Sequence, residues 1–283
     1  MTFQRILFAV DGGHNMRSAA ASVASLALAT GVEVTVLHVT ENPLPGMATL
    51  AIERIAQRLR ATGIATRVEV RFAGADDVAE TIVGVSRELD SALIALGSHG
   101  LSDLSGLFRG SISHRVIALS DVPVLVVRYG IRRGGHIRRI LLAIAGGEEV
   151  PHAIEAAVTI AKATDAEVLV LHAKYLVAGI ESLPYIESDD YAEQMVVTVV
   201  RQAWKAGIHA VAYRPVASNG VPRGIVHEAR TWNADLVVVG SRRLSDLASL
   251  LLGGIDHELI RTSDRSVLVA ERPDALVASA TSG

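Results

Sequence analysis

Between Ala95 and Ser113 the chain reads ALGSHGLSDLSGLFRGSIS, which places Gly97, Gly100, Gly106 and Gly110 in one stretch and a hydroxyl residue, Ser111, directly after it. Glycine lets a backbone approach a ligand closely and reach positive φ. From Gly110 onward, GSISHRVIALS reads as a helix that begins with Ser111 near its N-cap. A helix start offers unpaired N–H groups and a positive dipole end, which suit a phosphate, and Arg109 stands beside it. A second strand end, FAVDGG, closes on Asp11. The stretch lacks the lysine of a Walker A loop and the glycine spacing of a dinucleotide fingerprint. Spacing alone therefore leaves two readings equally open: a phosphate cradle, or a tight turn at Gly97 and Gly100 followed by a capped helix.

The elements that must hold these residues appear twice. QRILFAVDGGHN from Gln4 aligns with RRILLAIAGGEE from Arg138, and GVEVTVLHVT from Gly31 with DAEVLVLHAK from Asp165. Further on, ELDSALIALGSHG matches TWNADLVVVGSRR, and DVPVLVVR matches DRSVLVAE. Four matches in one order indicate an internal duplication, with KYLVAGIESLPYIESDDY as an insertion in the second copy. The expected domains are residues 1–131 and 137–272, with Gly130, Gly134 and Gly135 in the linker and a flexible tail at 273–283. Within each copy, apolar strand-like runs alternate with alanine-rich segments such as MRSAAASVASLALAT and VPHAIEAAVTIAKAT. That alternation predicts an α/β fold, with a parallel sheet of five strands per copy and helices on both faces. In such a doubly wound sheet, ligands settle beyond the carboxyl ends of the strands, where the strand order reverses.

Bulk composition narrows the function classes. The 283 residues are 50% hydrophobic and 20% charged, with net charge -3, which supports a buried core and supplies no basic footprint for nucleic acid or an anionic membrane. The one basic cluster, RYGIRRGGHIRR from Arg128 to Arg139, is read as a solvated linker. The absence of cysteine excludes disulfides and thiolate chemistry, and with no leader-like or membrane-length apolar run it places the chain in the cytoplasm.

Gly97, two residues, Gly100, nine residues, then Gly110 and Ser111 reproduce the glycine signature of the nucleotide-binding branch of the universal stress protein family. ILFAVDGG resembles that family's first strand with its terminal aspartate, VLHVT its second, and DVPVLVVR its last. The chain thus resembles a tandem universal stress protein. The resemblance implies two Rossmann-like, adenine nucleotide alpha hydrolase-like domains of strand order 3-2-1-4-5. It also implies an adenine-nucleotide site in the first copy, usually for ATP with Mg2+ or Mn2+. Asp11 and the backbone around Ala9 and Gly12 would hold the ribose and adenine end, and Val39 would edge the adenine. Gly97, Ser98, His99 and Gly100, with Arg109, Gly110, Ser111, Ile112 and Ser113, would wrap ribose and phosphates. Gly13 stands where the family often has serine. Pairing through the last strand is implied as well, as a pseudo-dimer within the chain and a homodimer between chains.

The second copy departs from the signature. Arg243 replaces Gly100, Gly254 replaces Ser111, Ala145 replaces Asp11, Leu252 replaces Arg109 and Asp256 replaces Ser113. Two unit charges ~4 Å apart repel by ~4 kcal/mol at an effective dielectric of 20, so a carboxylate at the phosphate end predicts one nucleotide per chain. Arg242 and Arg243 holding an anion differently is the counter-reading. His38 and His172 recur at equivalent strand ends without partners at metal-ligand spacing, and read as histidines bonded to backbone. The acidic run from Glu187 to Asp190 reads as a solvated loop face. The expected function is a stress-response regulatory module that binds ATP, with no catalytic residue assigned and at most slow hydrolysis. The alternatives are an ATP-using enzyme of a related fold and a nucleotide-free scaffold.

Overall fold

The computed structural model describes residues 4–11, 16–40, 47–73, 77–98, 112–128, 136–144, 150–172, 189–213, 221–240 and 255–270. The first half of the chain runs β1 (Arg5–Ala9), α1 (Met16–Thr30), β2 (Glu33–Thr40), α2 (Met47–Ala61), β3 (Thr66–Phe72), α3 (Val78–Glu88), β4 (Leu93–Ser98), α4 (Ile112–Leu119) and β5 (Val124–Arg128). The second half repeats it as β6 (Arg139–Ile144), α5 (Val150–Thr164), β7 (Glu167–His172), α6 (Asp189–Lys205), β8 (Ala210–Tyr213), α7 (Val221–Thr231), β9 (Leu236–Gly240), α8 (Ile255–Thr262) and β10 (Ser266–Ala270).

Strands whose residues are apolar at nearly every position are buried on both faces. Ile6 and Phe8 pack into one core layer with α1 and α2, while Leu7 and Ala9 enter the opposite layer with α3 and α4. Each helix presents an apolar stripe at helical spacing, as Met16, Ala19, Ala20, Val23, Leu26 and Ala27 do in α1. The same division recurs in the second half, with α5 and α6 on the first layer and α7 and α8 on the second.

The ten strands among the described residues form one sheet in the order β3-β2-β1-β4-β5-β10-β9-β6-β7-β8. Within each half the neighbours are parallel and follow the order 3-2-1-4-5. The halves join antiparallel at β5 and β10, through Val126–Val267, Leu125–Leu268 and Val124–Val269. Each last strand thus covers the other's apolar edge.

The duplication extends to single bonds. Arg87 pairs with Asp121 at 2.6 Å and Arg230 with Asp264 at 3.2 Å. The Ser120 hydroxyl bonds Val122 from both sides, its Oγ donating to the carbonyl and accepting the N–H, and Ser263 treats Arg265 in the same way.

Two local expectations change. Arg128, placed by sequence in a solvated linker, closes β5 and is buried, while Arg139 at the far end opens β6 and Ile137 between them is buried. The strands extend into both ends of the basic cluster, because the apolar runs beside it continue into the sheet. Asp189 and Asp190, expected in a loop, open α6. Residues 129–135 of the linker and the tail at 273–283 lie outside the described residues. Among the described residues no helix is long and apolar enough to cross a membrane.

Candidate functional site

The order 3-2-1-4-5 reverses direction at β1, whose neighbours are β2 on one side and β4 on the other. Helices α1 and α2 lie on one face and α3 and α4 on the other, so a crevice opens at the carboxyl end of β1. The register shows its depth. Ala9 is the last paired residue of β1, opposite Leu37 and Leu96. Beyond it, β2 continues through Val39 and Thr40 against β3, and β4 continues through Gly97 and Ser98 against β5. The two flanking strands outrun the central one and leave a notch.

Backbone groups point into this notch. The Val10 N–H donates to the Leu37 carbonyl at 2.9 Å, and the two-residue alternation of a strand turns Val39 toward the same edge. Val10's own carbonyl is held by the His38 imidazole, whose Nδ1 lies 2.9 Å away and must donate, because a carbonyl only accepts. Buried His38 thereby fixes the point at which the chain leaves β1. In the second half His172 Nδ1 holds the Ile144 carbonyl at the same 2.9 Å. Backbone bonding is thus the role of both histidines, as the sequence predicts.

Seven of the thirteen residues expected at the site are described, five of them on or just past the strand ends that border the notch. Ala9 is buried beneath it, and Asp11 is exposed at its rim. Val39 and Gly97 are half-buried on its two sides, and Ser98 continues β4. Ile112, 47% exposed, and half-buried Ser113 begin α4. Gly12, His99, Gly100, Arg109, Gly110 and Ser111 lie outside the described residues, as do Ala145, Arg243, Leu252 and Gly254 of the second copy.

Helix α4 is fixed to its neighbour by charge. Asp77 caps α3, accepting the Ala79 N–H at 2.7 Å, and its second oxygen binds Arg115 of α4 at 2.6 Å. Arg115 also reaches Glu80 at 3.2 Å. These contacts set where the first turn of α4 stands relative to the crevice.

A donor set of backbone N–H groups, a helix start, two hydroxyl-bearing residues and one exposed carboxylate has the chemistry to hold a sugar and its phosphates. No group of three or more His, Cys, Asp or Glu capable of holding a metal occurs among the described residues. Sequence reasoning missed that Arg128, buried at the end of β5, stands beside Ser98.

Known proteins carry the same pattern. The sequence model of the universal stress protein family matches residues 2–128 and again 136–271. A universal stress protein of Bacillus subtilis is 28% identical over 148 residues, covering 44% of this chain and 99% of the relative. One of Mycolicibacterium smegmatis is 25% identical over 211 residues, covering 73% of this chain and 69% of the relative. The crystal structure of a universal stress protein from Archaeoglobus fulgidus shares the fold, with a TM-score of 0.72 at 22% identity over 95% of this chain and 97% of that one. With both halves matched in sequence and the tandem fold shared, the chain belongs to the universal stress protein family as a two-domain member.

Proposed function

We propose that the chain binds one adenine nucleotide, ATP, at the notch of its first half and serves as a regulatory module of the stress response. The carrying observation is that β2 and β4 both outrun β1, so Val39 and Gly97 flank an opening with Asp11 at its rim and the start of α4 beyond it. In this reading residues 1–131 are the nucleotide-binding unit, and 137–272 a unit whose signature has been lost.

Asp11, with the backbone of Ala9 and Gly12, holds the ribose, and the backbone of Val39 lies along the adenine edge. Gly97 to Gly100 pass close to ribose and phosphates, and the N–H groups from Gly110 to Ser113 meet phosphate oxygens with the Ser111 and Ser113 hydroxyls. A bound Mg2+ or Mn2+ would supply charge neutralisation between phosphates. The chain's own contribution is positioning, in the cytoplasm, and chains pair again as a homodimer.

Native mass spectrometry and equilibrium dialysis of the full chain test this reading. One ATP per chain is expected, and two equivalent molecules, or none, would overturn it. Asp11→Ala should weaken ATP and adenosine alike, by about tenfold, for loss of a charge-assisted hydrogen bond to the ribose. Gly110→Val should abolish ATP binding, because a side chain there fills the phosphate approach. Turnover of ATP at ordinary enzyme rates of ~1 to 1000 per second would replace the regulatory reading by an enzymatic one.

A further inference from the structure

Strand β3 ends the sheet, and among the described residues no strand covers its outer edge. The Val34 N–H donates to the Ala65 carbonyl at 2.9 Å, and the Ala73 N–H to the Thr40 carbonyl at 3.0 Å. Odd-numbered residues of β3 therefore turn their backbone groups toward β2, while Thr66, Val68, Val70 and Phe72 turn theirs toward the edge. Arg60 Nε donates to the Thr66 carbonyl at 3.1 Å, in agreement with that direction.

The two faces of β3 differ in chemistry. Val68 packs on the core layer of α1 and α2, and strand alternation sets Val70 and Phe72 on the same face. These two are 42% and 52% exposed, so an apolar row runs along the edge beyond the core. On the other face stand Arg67, Glu69 and Arg71. Arg71 binds Glu69 at 2.6 Å and lies 3.7 Å from Glu88 of α3. A long apolar edge is a template for another strand unless something blunts it.

The opposite edge is blunted. Strand β8 has four residues, and the Val168 N–H donating to the His209 carbonyl leaves only Ala210 and Ala212 facing outward. Trp204 Nε1 takes the Ala210 carbonyl at 3.1 Å, as Arg60 takes that of Thr66. The sequence then runs on through Arg214 and Pro215, a charge and a proline of the kind that guards edges, where the first half has Val70 and Arg71. Only β3 offers three outward residues in a row beyond its cap.

This edge complements itself. Antiparallel pairing of two β3 strands sets outward residues opposite outward residues, and charge chooses among the registers. Centred on Glu69, the pairing opposes Glu69 to Glu69 and Arg67 to Arg71; centred on Arg71, it opposes Arg71 to Arg71. Like charges directly opposite are destabilising. Centred on Val68, it sets Phe72 against Ile64, which lies before the strand begins. Centred on Val70, it sets Val70 against Val70, each Val68 against a Phe72, and each Glu69 against an Arg71. Every carboxylate then lies between two guanidiniums, and the apolar row is matched end to end.

We propose that a second copy of the chain adds its β3 antiparallel to this one, with the twofold axis at Val70, joining two sheets into one of twenty strands. The inference rests on the homodimer of the functional reading and names its surface. Such a pairing is isologous and closed, so it stops at two chains.

Sedimentation velocity of the full chain over a concentration series, with cysteine crosslinking, tests it. Wild type should pass from monomer to dimer as concentration rises. Val70→Lys opposes a charge to its own copy and should abolish the dimer. Val70 is already exposed, so V70K should keep the melting temperature of wild-type monomer. The chain has no cysteine of its own, which makes single-cysteine variants clean reporters. Directly opposed residues have Cα atoms ~5.5 Å apart, within disulfide reach. V70C should therefore close a covalent dimer under mild oxidation. F72C should not, because its two copies lie roughly 13 Å apart, yet F72C mixed with V68C should. A wild-type dimer that survives V70K, or F72C crosslinking as readily as V70C, overturns the β3 pairing and leaves the homodimer to another surface. A wild type that stays monomeric at every concentration overturns both, including the case in which the edge serves a strand of another protein.

Discussion

His38 and His172 hold the carbonyls at which the two central strands end, Val10 and Ile144. Both imidazoles are buried, and removing either leaves a buried carbonyl short of its donor. His38→Ala and His172→Ala should each lower stability by about 1–3 kcal/mol in urea unfolding. The two variants separate in binding. H38A loosens the departure of the chain from β1 and should weaken ATP, whereas H172A should leave it at the wild-type affinity. Equal effects on ATP would mean that His38 acts only through global stability. Recurrence at strand ends also fits metal binding, and in the sequence only the lack of partners at metal-ligand spacing speaks against it. What separates the two is the Val10 carbonyl 28 positions away, an acceptor that only the β1–β2 pairing brings within reach.

The helices and strands were legible because each is a local pattern. MRSAAASVASLALAT and VPHAIEAAVTIAKAT coincide with α1 and α5, since their apolar spacing is helical from end to end. The strand ends that carry Asp11, Val39 and Gly97 were legible for the same reason, as apolar runs stopping at polar or glycine residues. Contacts between elements were not. The link from α3 to α4 depends on Asp77 meeting Arg115 across 38 residues, and nothing in either segment announces the other. Asp77→Ala removes both a helix cap and this partly exposed ion pair, so it should cost about 1–2 kcal/mol, read as a lowered urea midpoint at unchanged slope. Its effect on ATP should exceed its effect on adenosine, because the proposed nucleotide site puts the phosphates at α4. Burial of Arg128 was equally hidden, for it depends on a strand contributed by the other half of the chain.

One sheet of ten strands and two continuous core layers tie the halves together. Such a molecule should unfold in a single denaturant transition by tryptophan fluorescence and by circular dichroism, and two separated transitions would show the halves to be independent. Leu268, fully buried on β10 opposite Leu125, lies at the junction. Leu268→Ala should cost about 2–5 kcal/mol and, if the seam transmits, should lower the stability of both halves together. The covered edges of β5 and β10 leave β3 and β8 as the outer strands, so a homodimer has to form on a surface other than the last strand. The antiparallel seam also makes the molecule double-ended. The strands of one half run up where those of the other run down, so the two switch points open at opposite poles. Each pole is then bordered by the amino-end turns of the other half, a region that in a single copy has only structural duties. After duplication those turns become the neighbours of a foreign crevice, and the valine-to-arginine difference between residues 122 and 265 is the kind of change that such a borrowed border makes available to selection.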